Sequence, residues 1–427
     1  MTPFLKGAAA FLRTDPRLLV FGIVASAATS FGQTYFIALS GGEIRAAFDL
    51  SHGDFGAVYS AATLASALVL VWSGKLIDRI DLRLWTAGIA LGLAVACTLM
   101  GLVESLPLLL VTIFMLRHFG QGLLSHTGST SLARYFVGGP GGGRGRAIGL
   151  SSMGYPLGEA VFPAIAVALM AWIGWREMWL AAAAVMVVLF LPALMGLLIG
   201  HSARQTHYAA RLAEEDRIEA ESAEARAKGT RSAHWTRAEV LRDPRFYMVM
   251  PAMLAPSFII TGIFFHQVHL VEVKGWSLGG YSAAFVAFAF ATVPAGFIYG
   301  AVVDRIGAAR ALPYFLPGIL IACLVLALGQ HPLTVWIFMI FAGANAGMTQ
   351  TLSSALWAEV YGTRHLGAIR ALTTACMVFS TAASPVILGA LIDAGIGMEP
   401  ILFLCAVYAL VGLGLSIVGR GRYASRA

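Results

Sequence analysis

Apolar residues along the chain gather into twelve runs of about 19 to 29 residues, each long enough to cross a ~30 Å hydrocarbon layer as a helix. Short polar or charged segments separate them. The runs are 18–42, 55–73, 84–103, 105–133, 147–175, 178–200, 246–271, 276–303, 311–330, 332–358, 371–392 and 400–419. The second is the shortest and stays apolar through Leu76. Lipid offers the backbone no partner outside the segment, so helices are the expected form. The shorter, alternating segments of a β-barrel do not occur. The pattern predicts an all-α membrane protein with twelve transmembrane helices. One long charged stretch divides six runs from six, giving an N-terminal six-helix bundle in 1–200, a cytoplasmic linker in 201–243 and a C-terminal six-helix bundle in 244–427. Glu214, Glu215, Asp216, Glu219, Glu221 and Glu224 alternate there with Arg211, Arg217, Arg226 and Lys228. Helix formers dominate this stretch, which reads as a solvated arm with some surface helix.

Composition sharpens the class. Of 427 residues 58% are hydrophobic and 12% charged, with a mean hydropathy of +0.78. A soluble protein carries about 25% charged residues. A soluble enzyme, a secreted disulfide scaffold and a disordered chain are thereby excluded. Cys97, Cys323, Cys376 and Cys405 are far apart in apolar runs and read as small core residues.

The net charge of +7 is explained by orientation. With the N-terminus inside, the inner segments hold 25 of the 29 Lys and Arg residues. Arg45, Arg176 and Lys274 fall outside, and Arg117 lies within a run. This bias places both termini in the cytoplasm and leaves nucleic acid unnecessary as a partner. Met1 to Arg17 reads as a cytoplasmic tail, with only a short apolar run between Lys6 and Arg13. Arg far outnumbers Lys, and Ala and Gly are abundant, which suggests a GC-rich bacterium and hence a bacterial inner membrane.

The halves repeat each other. Gly74-Lys-Leu-Ile-Asp78-Arg79-Ile-Asp81-Leu-Arg83 follows the second run, and Gly300-Ala-Val-Val-Asp304-Arg305-Ile-Gly307-Ala-Ala-Arg310 follows the eighth. Gly122 and Ala133 match Gly347 and Ala358, Ala147-Ile148 matches Ala368-Ile369, and Pro163 matches Pro385. Such duplication is common among secondary transporters, whose site lies near the midplane between the repeats.

On these features the chain resembles the major facilitator superfamily over nearly its whole length. The resemblance implies two pseudo-symmetric six-helix bundles rocking about a central site. It also makes the doubled loop a cytoplasmic gate formed by Gly74, Asp78, Arg79 and Arg83 with Gly300, Asp304, Arg305 and Arg310. In that family the loop's Asp pairs with basic groups or a helix N-terminus of the other half. The first copy departs from the pattern in having Asp81 where a glycine is usual.

Two residues within the runs are ionised by default, Arg117 and Glu159. Intramembrane charge is costly and faces a cavity or a partner. Their depths differ by about 6 Å at 1.5 Å per residue, so we expect them to couple. They form either a fixed structural pair or a switch in which Glu159 takes a proton and frees Arg117 for an anion. Arg117-His-Phe-Gly-Gln121-Gly122 resembles the fourth-span motif linked to proton coupling in the family's antiporter branch, with one residue extra. The fifth run lacks that branch's Gly-Pro pair.

The family lines its pathway with spans one, four, seven and ten, whose polar residues include Gln33, Gln121, His266 and Asn345. Tyr155 is one turn from Glu159, as Gln121 is from Arg117. With Arg117, these form the expected substrate-binding set, and Glu159 with Arg117 the proton-coupling set. Interhelical hydrogen bonding is an alternative role for each polar residue. His266 and His269 share a helix face without a nearby acid, so no metal site is expected. His266 lies far enough outward for a role in the outer gate or as a pH-sensitive group.

No nucleotide-binding loop is present, since Gly138 to Gly143 lacks the following Lys-Ser/Thr. No nucleophile–base cluster marks an enzyme, and no cofactor is implied. The expectation is a monomeric, proton-coupled transporter of a small organic anion. A proton-driven exporter of amphipathic or toxic compounds, or a receptor without flux, are the alternatives.

Overall fold

A computed structural model describes residues 11–136, 143–211, 235–362 and 365–424. The acidic cluster from Glu214 to Glu224, most of the glycine turn and the first ten residues lie outside them. The described residues form helices, with no strand among them. Eleven are long and apolar enough to cross a membrane: α2 (His52–Asp78), α3 (Leu82–Gly101), α4 (Leu106–Tyr135), α5 (Gly145–Ile173), α6 (Trp175–Leu197), α7 (Pro244–Phe265), α8 (Leu278–Ile306), α9 (Ala308–Leu328), α10 (Thr334–Tyr361), α11 (Leu366–Asp393) and α12 (Met398–Gly419). The first, α1, is a broken pair, Pro16–Gly32 and Thr34–Phe48, bent by 40°. Each observed helix overlaps one apolar run, with ends shifted by a few residues as caps dictate. Asp15, with Pro16 after it, starts α1 by accepting from Leu18 N at 3.1 Å. Ser51 and Asp54 form a capping box on α2, Asp81 caps α3, and Asp243 caps α7 ahead of Pro244.

In the first half α1 packs on α4 and α5, α2 on α4, and α3 on α6. In the second half α8 packs on α10, α9 on α10 and α12, and α7 on α11 and α12. The halves meet chiefly through α2 against α11 and α5 against α8, with the tip of α1 against α7. The first two joints are counterparts under the repeat, since the second and eleventh helices correspond to the eighth and fifth. This relation is the mark of a pseudo-two-fold axis.

The contacts across the joint gather at the end away from the Arg-rich loops. Asp393 of α11 accepts from His52 N at 3.0 Å and Gly53 N at 2.7 Å. Gln267 Nε2 donates to Tyr35 O at 2.7 Å, and Ser60 Oγ donates to Ala382 O. Backbone meets backbone where Gly56 lies against the Pro385 carbonyl and Gly389 against His52. A β-carbon at Gly389 would stand 2.5 Å from the His52 oxygen, so only glycine fits. At the Arg-rich end the described residues give no hydrogen bond between the halves. Residues flanking the linker are each fastened to their own half. Arg204 grips Asp15 at 2.7 and 2.8 Å, and Arg211 donates to Arg134 O at 2.7 Å. On the other side, Trp235 N donates to Tyr361 O at 3.1 Å.

Candidate functional site

The centre of the first half is organised by two irregularities in its helices. Thr29–Gly32 is a 3-10 turn, and Gln33 is extended with ψ 151°, so α1 breaks. Opposite it, Leu116–Leu124 of α4 is π-helical. Breaks and π turns in membrane helices free backbone groups that must be satisfied from outside the helix. Gly32 and Gly120 let the two irregular segments touch: a β-carbon on Gly120 would come within 2.7 Å of Gly32 Cα.

Arg117 lies in the π turn and is 4% exposed. Its Nη1 donates to the freed Gly32 carbonyl at 3.1 Å and to Thr34 Oγ1 at 3.4 Å. Thr34 in turn shares a 2.7 Å hydrogen bond with Tyr59 OH, and the guanidinium lies 5.2 Å from the Tyr59 ring centroid. A cation is favoured at the carbonyl end of a helix segment and over an aromatic face. All these partners are neutral, and Nε has none. No acid among these partners offsets the guanidinium charge.

The expected pairing with Glu159 is not found: among the described residues no ion pair joins the two. Sequence fixed their depth but not their bearing around the helix axes. Arg117 faces the α1 break and α2, whereas Glu159 lies within electrostatic reach of the Tyr35 and Tyr155 hydroxyls. It makes no hydrogen bond with a described residue, so the acid, like the arginine, has no opposite charge.

The other expected residues divide by position. Gln33 forms the break itself and donates to Thr29 Oγ1 at 3.4 Å, and half-buried Gln121 shares the π turn with Arg117. Tyr155 joins α5 to α4 through Ser125 Oγ. Asn345 is sealed in the second half, where Nδ2 donates to Phe315 O at 2.6 Å and ties α10 to the start of α9. Its mid-depth position concealed a packing role. His266 lies at the tight end, its Nε2 bonded to Pro385 O at 3.0 Å. Thr34 and Tyr59, absent from the expected set, complete the Arg117 environment. A hydroxyl within an apolar run carries no distinctive sequence signal.

The doubled loop is realised with different chemistry in each half. Asp78 pairs with Arg134 of α4, which also donates to Ile77 O at 3.2 Å. The partner expected from the other half is replaced by one from the same half. Asp81 accepts from Arg83 N at 2.8 Å and Nε at 3.0 Å, and the arginine holds its carboxyl below the usual range. Gly74 packs near the His126 ring, and Arg79 makes no ion pair among the described residues. In the second copy Asp304, Arg305 and Arg310 make none either, and Gly300 contacts Thr351. Glu359 of α10 instead accepts from Ala308 N at 2.6 Å and Ala309 N at 3.1 Å, capping α9.

Two repeated bundles closed at one end around a broken helix, with a buried arginine and a partly buried acid that lack opposite charges among the described residues, define the fold of a secondary transporter. The family model of the Major Facilitator Superfamily matches residues 19–385 and 259–423, and the chain belongs to that family. Among solved structures it is similar to a bacterial homologue of the human lysosomal transporter Spinster, described as inward-facing and unoccupied. That match has a TM-score of 0.65 at 14% identity and covers 97% of this chain and 98% of the other. No curated protein matches the sequence.

Proposed function

We propose that the protein is a proton-coupled carrier of a small organic anion, held here open to the cytoplasm. The observation that carries this reading is the separation of Arg117 from Glu159. A buried cation with only neutral partners is a ready seat for a carboxylate, whose charge would replace what the protein does not supply. An acid without a cation at membrane depth is costly while ionised and takes up a proton. The sidedness follows the Arg bias, which makes the Arg-rich end cytoplasmic and the tight end external. A carrier alternates by opening one mouth as the other closes.

The test uses protein in proteoliposomes loaded with a pH dye. Wild type should acidify the lumen when small carboxylates are added outside. Glu159→Gln should abolish the acidification, Arg117→Ala should abolish its carboxylate dependence, and Arg117→Lys should retain part of it. Lipophilic cations driving the signal equally well in Arg117→Ala would replace the anion carrier with an exporter of amphipathic compounds.

A further inference from the structure

At the tight end, three histidines from both halves converge. His52 starts α2, while His266 and His269 follow α7. The His52 ring centroid lies 4.4 Å from that of His269 and 5.8 Å from that of His266. The rings line a cleft of about 10 Å³, room for roughly one water molecule, together with Arg45, Phe55 and Phe265. Below them Phe55 stacks on Phe265 at 4.9 Å, and Phe265 touches Tyr59 at 4.8 Å. Tyr59 is the residue beneath Arg117.

We propose that His52, His266 and His269 form an external proton-binding site whose occupation opens the outer mouth. The argument is one of linkage. His266 is 3% exposed, and its Nε2 faces a carbonyl that only accepts, so Nε2 carries the hydrogen and Nδ1 remains as the basic atom. A charged imidazole in the closed joint would lack hydration and lie beside two more rings and Arg45. Opening the joint hydrates the rings and separates His52 from the other two. Protons therefore bind the open state more tightly and draw the equilibrium toward it.

The charged groups around the cluster come from every neighbouring element. Arg45 on α1 is within electrostatic reach of all three rings. Glu43 of α1 and Glu272, after α7, face each other, and Glu272 also reaches His269. Asp393 of α11 reaches His52, but its two oxygens are engaged by the His52 and Gly53 amides. The acids moderate the repulsion on His52 and His269 without reaching His266.

This inference rests on the alternating reading above, and its test separates the two. Spin labels at Ala47→Cys and Val273→Cys, on opposite sides of the outer mouth, are placed in full-length protein with the native cysteines replaced. The distance between them is measured in lipid nanodiscs from about pH 8 to about pH 5, the interval in which histidine titrates. It should lengthen as pH falls. The response should vanish in His52→Gln/His269→Gln, and its midpoint should move to higher pH in Arg45→Gln, where a repelling charge is gone. A pH response unchanged in both variants, or none in wild type while added carboxylates or amphiphiles still open the mouth, would overturn the proton site alone. Labels that move under no condition would overturn alternation as well.

Discussion

The two copies of the doubled loop meet the same packing problem with opposite charge. Position 134 at the end of α4 corresponds to position 359 at the end of α10 at the repeat's offset. The first is Arg and takes the loop acid Asp78; the second is Glu and caps α9 at Ala308 and Ala309. The first copy must then cap α3 locally, which Asp81 does, and this accounts for an acid where the family has glycine. The second copy needs no such acid, and Gly307 at φ +84° makes the turn that only glycine adopts easily. A duplicated motif thus preserves shape while its charges are redistributed. One copy spends its acid within its own half, and the other leaves Asp304 without an ion pair among the described residues.

That contrast is open to direct test. The largest effect is expected from Glu359→Arg, which removes the cap on α9 and puts a cation at a helix N-terminus, a loss of about 2 kcal/mol. Thermal unfolding in detergent should show a clear fall in midpoint, and an unchanged midpoint would remove the cap from the account. Glu359→Ala should cost about 1 kcal/mol by losing the cap alone. Arg134→Ala breaks a partly exposed pair and should cost less than about 1 kcal/mol, diminishing further in high salt. If Arg134→Ala proves more damaging than Glu359→Ala, the assignment of the structural role to the second copy is wrong.

The smallest effect concerns Asp81. Its carboxyl is held low chiefly by the hydrogen bond from Arg83. A depressed folded value means that its contribution is present above the unfolded value of about 3.9 and is lost as pH falls through the folded one. Asp81→Asn should therefore lower stability slightly at neutral pH, where the contribution is present, and weaken its further fall below about pH 4. An undiminished acid dependence would separate Asp81 from it.

The sequence revealed most of the fold because lipid allows few solutions. Apolar length located the helices, and the doubled loop identified the halves. The site was less legible. Arg117 and Glu159 stood out because charge inside a span is rare, but helix rise gives depth alone, and their bearings require the packed structure. The break at Gln33 and the π turn at 116–124 lie inside unbroken apolar runs, so nothing in the pattern announced them. Asn345 and Gln121 look alike in sequence, yet one is sealed against the Phe315 carbonyl and the other is half-buried beside an arginine.

The bare joint between α2 and α11 has a thermodynamic consequence. Where Gly56 meets the Pro385 backbone and Gly389 meets His52, the glycines themselves bring no rotatable side chain to be immobilised when the mouth closes. Glycine has no side-chain entropy to lose, whereas a lysine or methionine would forfeit about 1.5–2 kcal/mol. The closed state can therefore be held by a few modest contacts, such as the Asp393 cap and the Gln267 bond, and each can be broken without a large opposing term. A seal of this kind can open as often as a carrier must turn over.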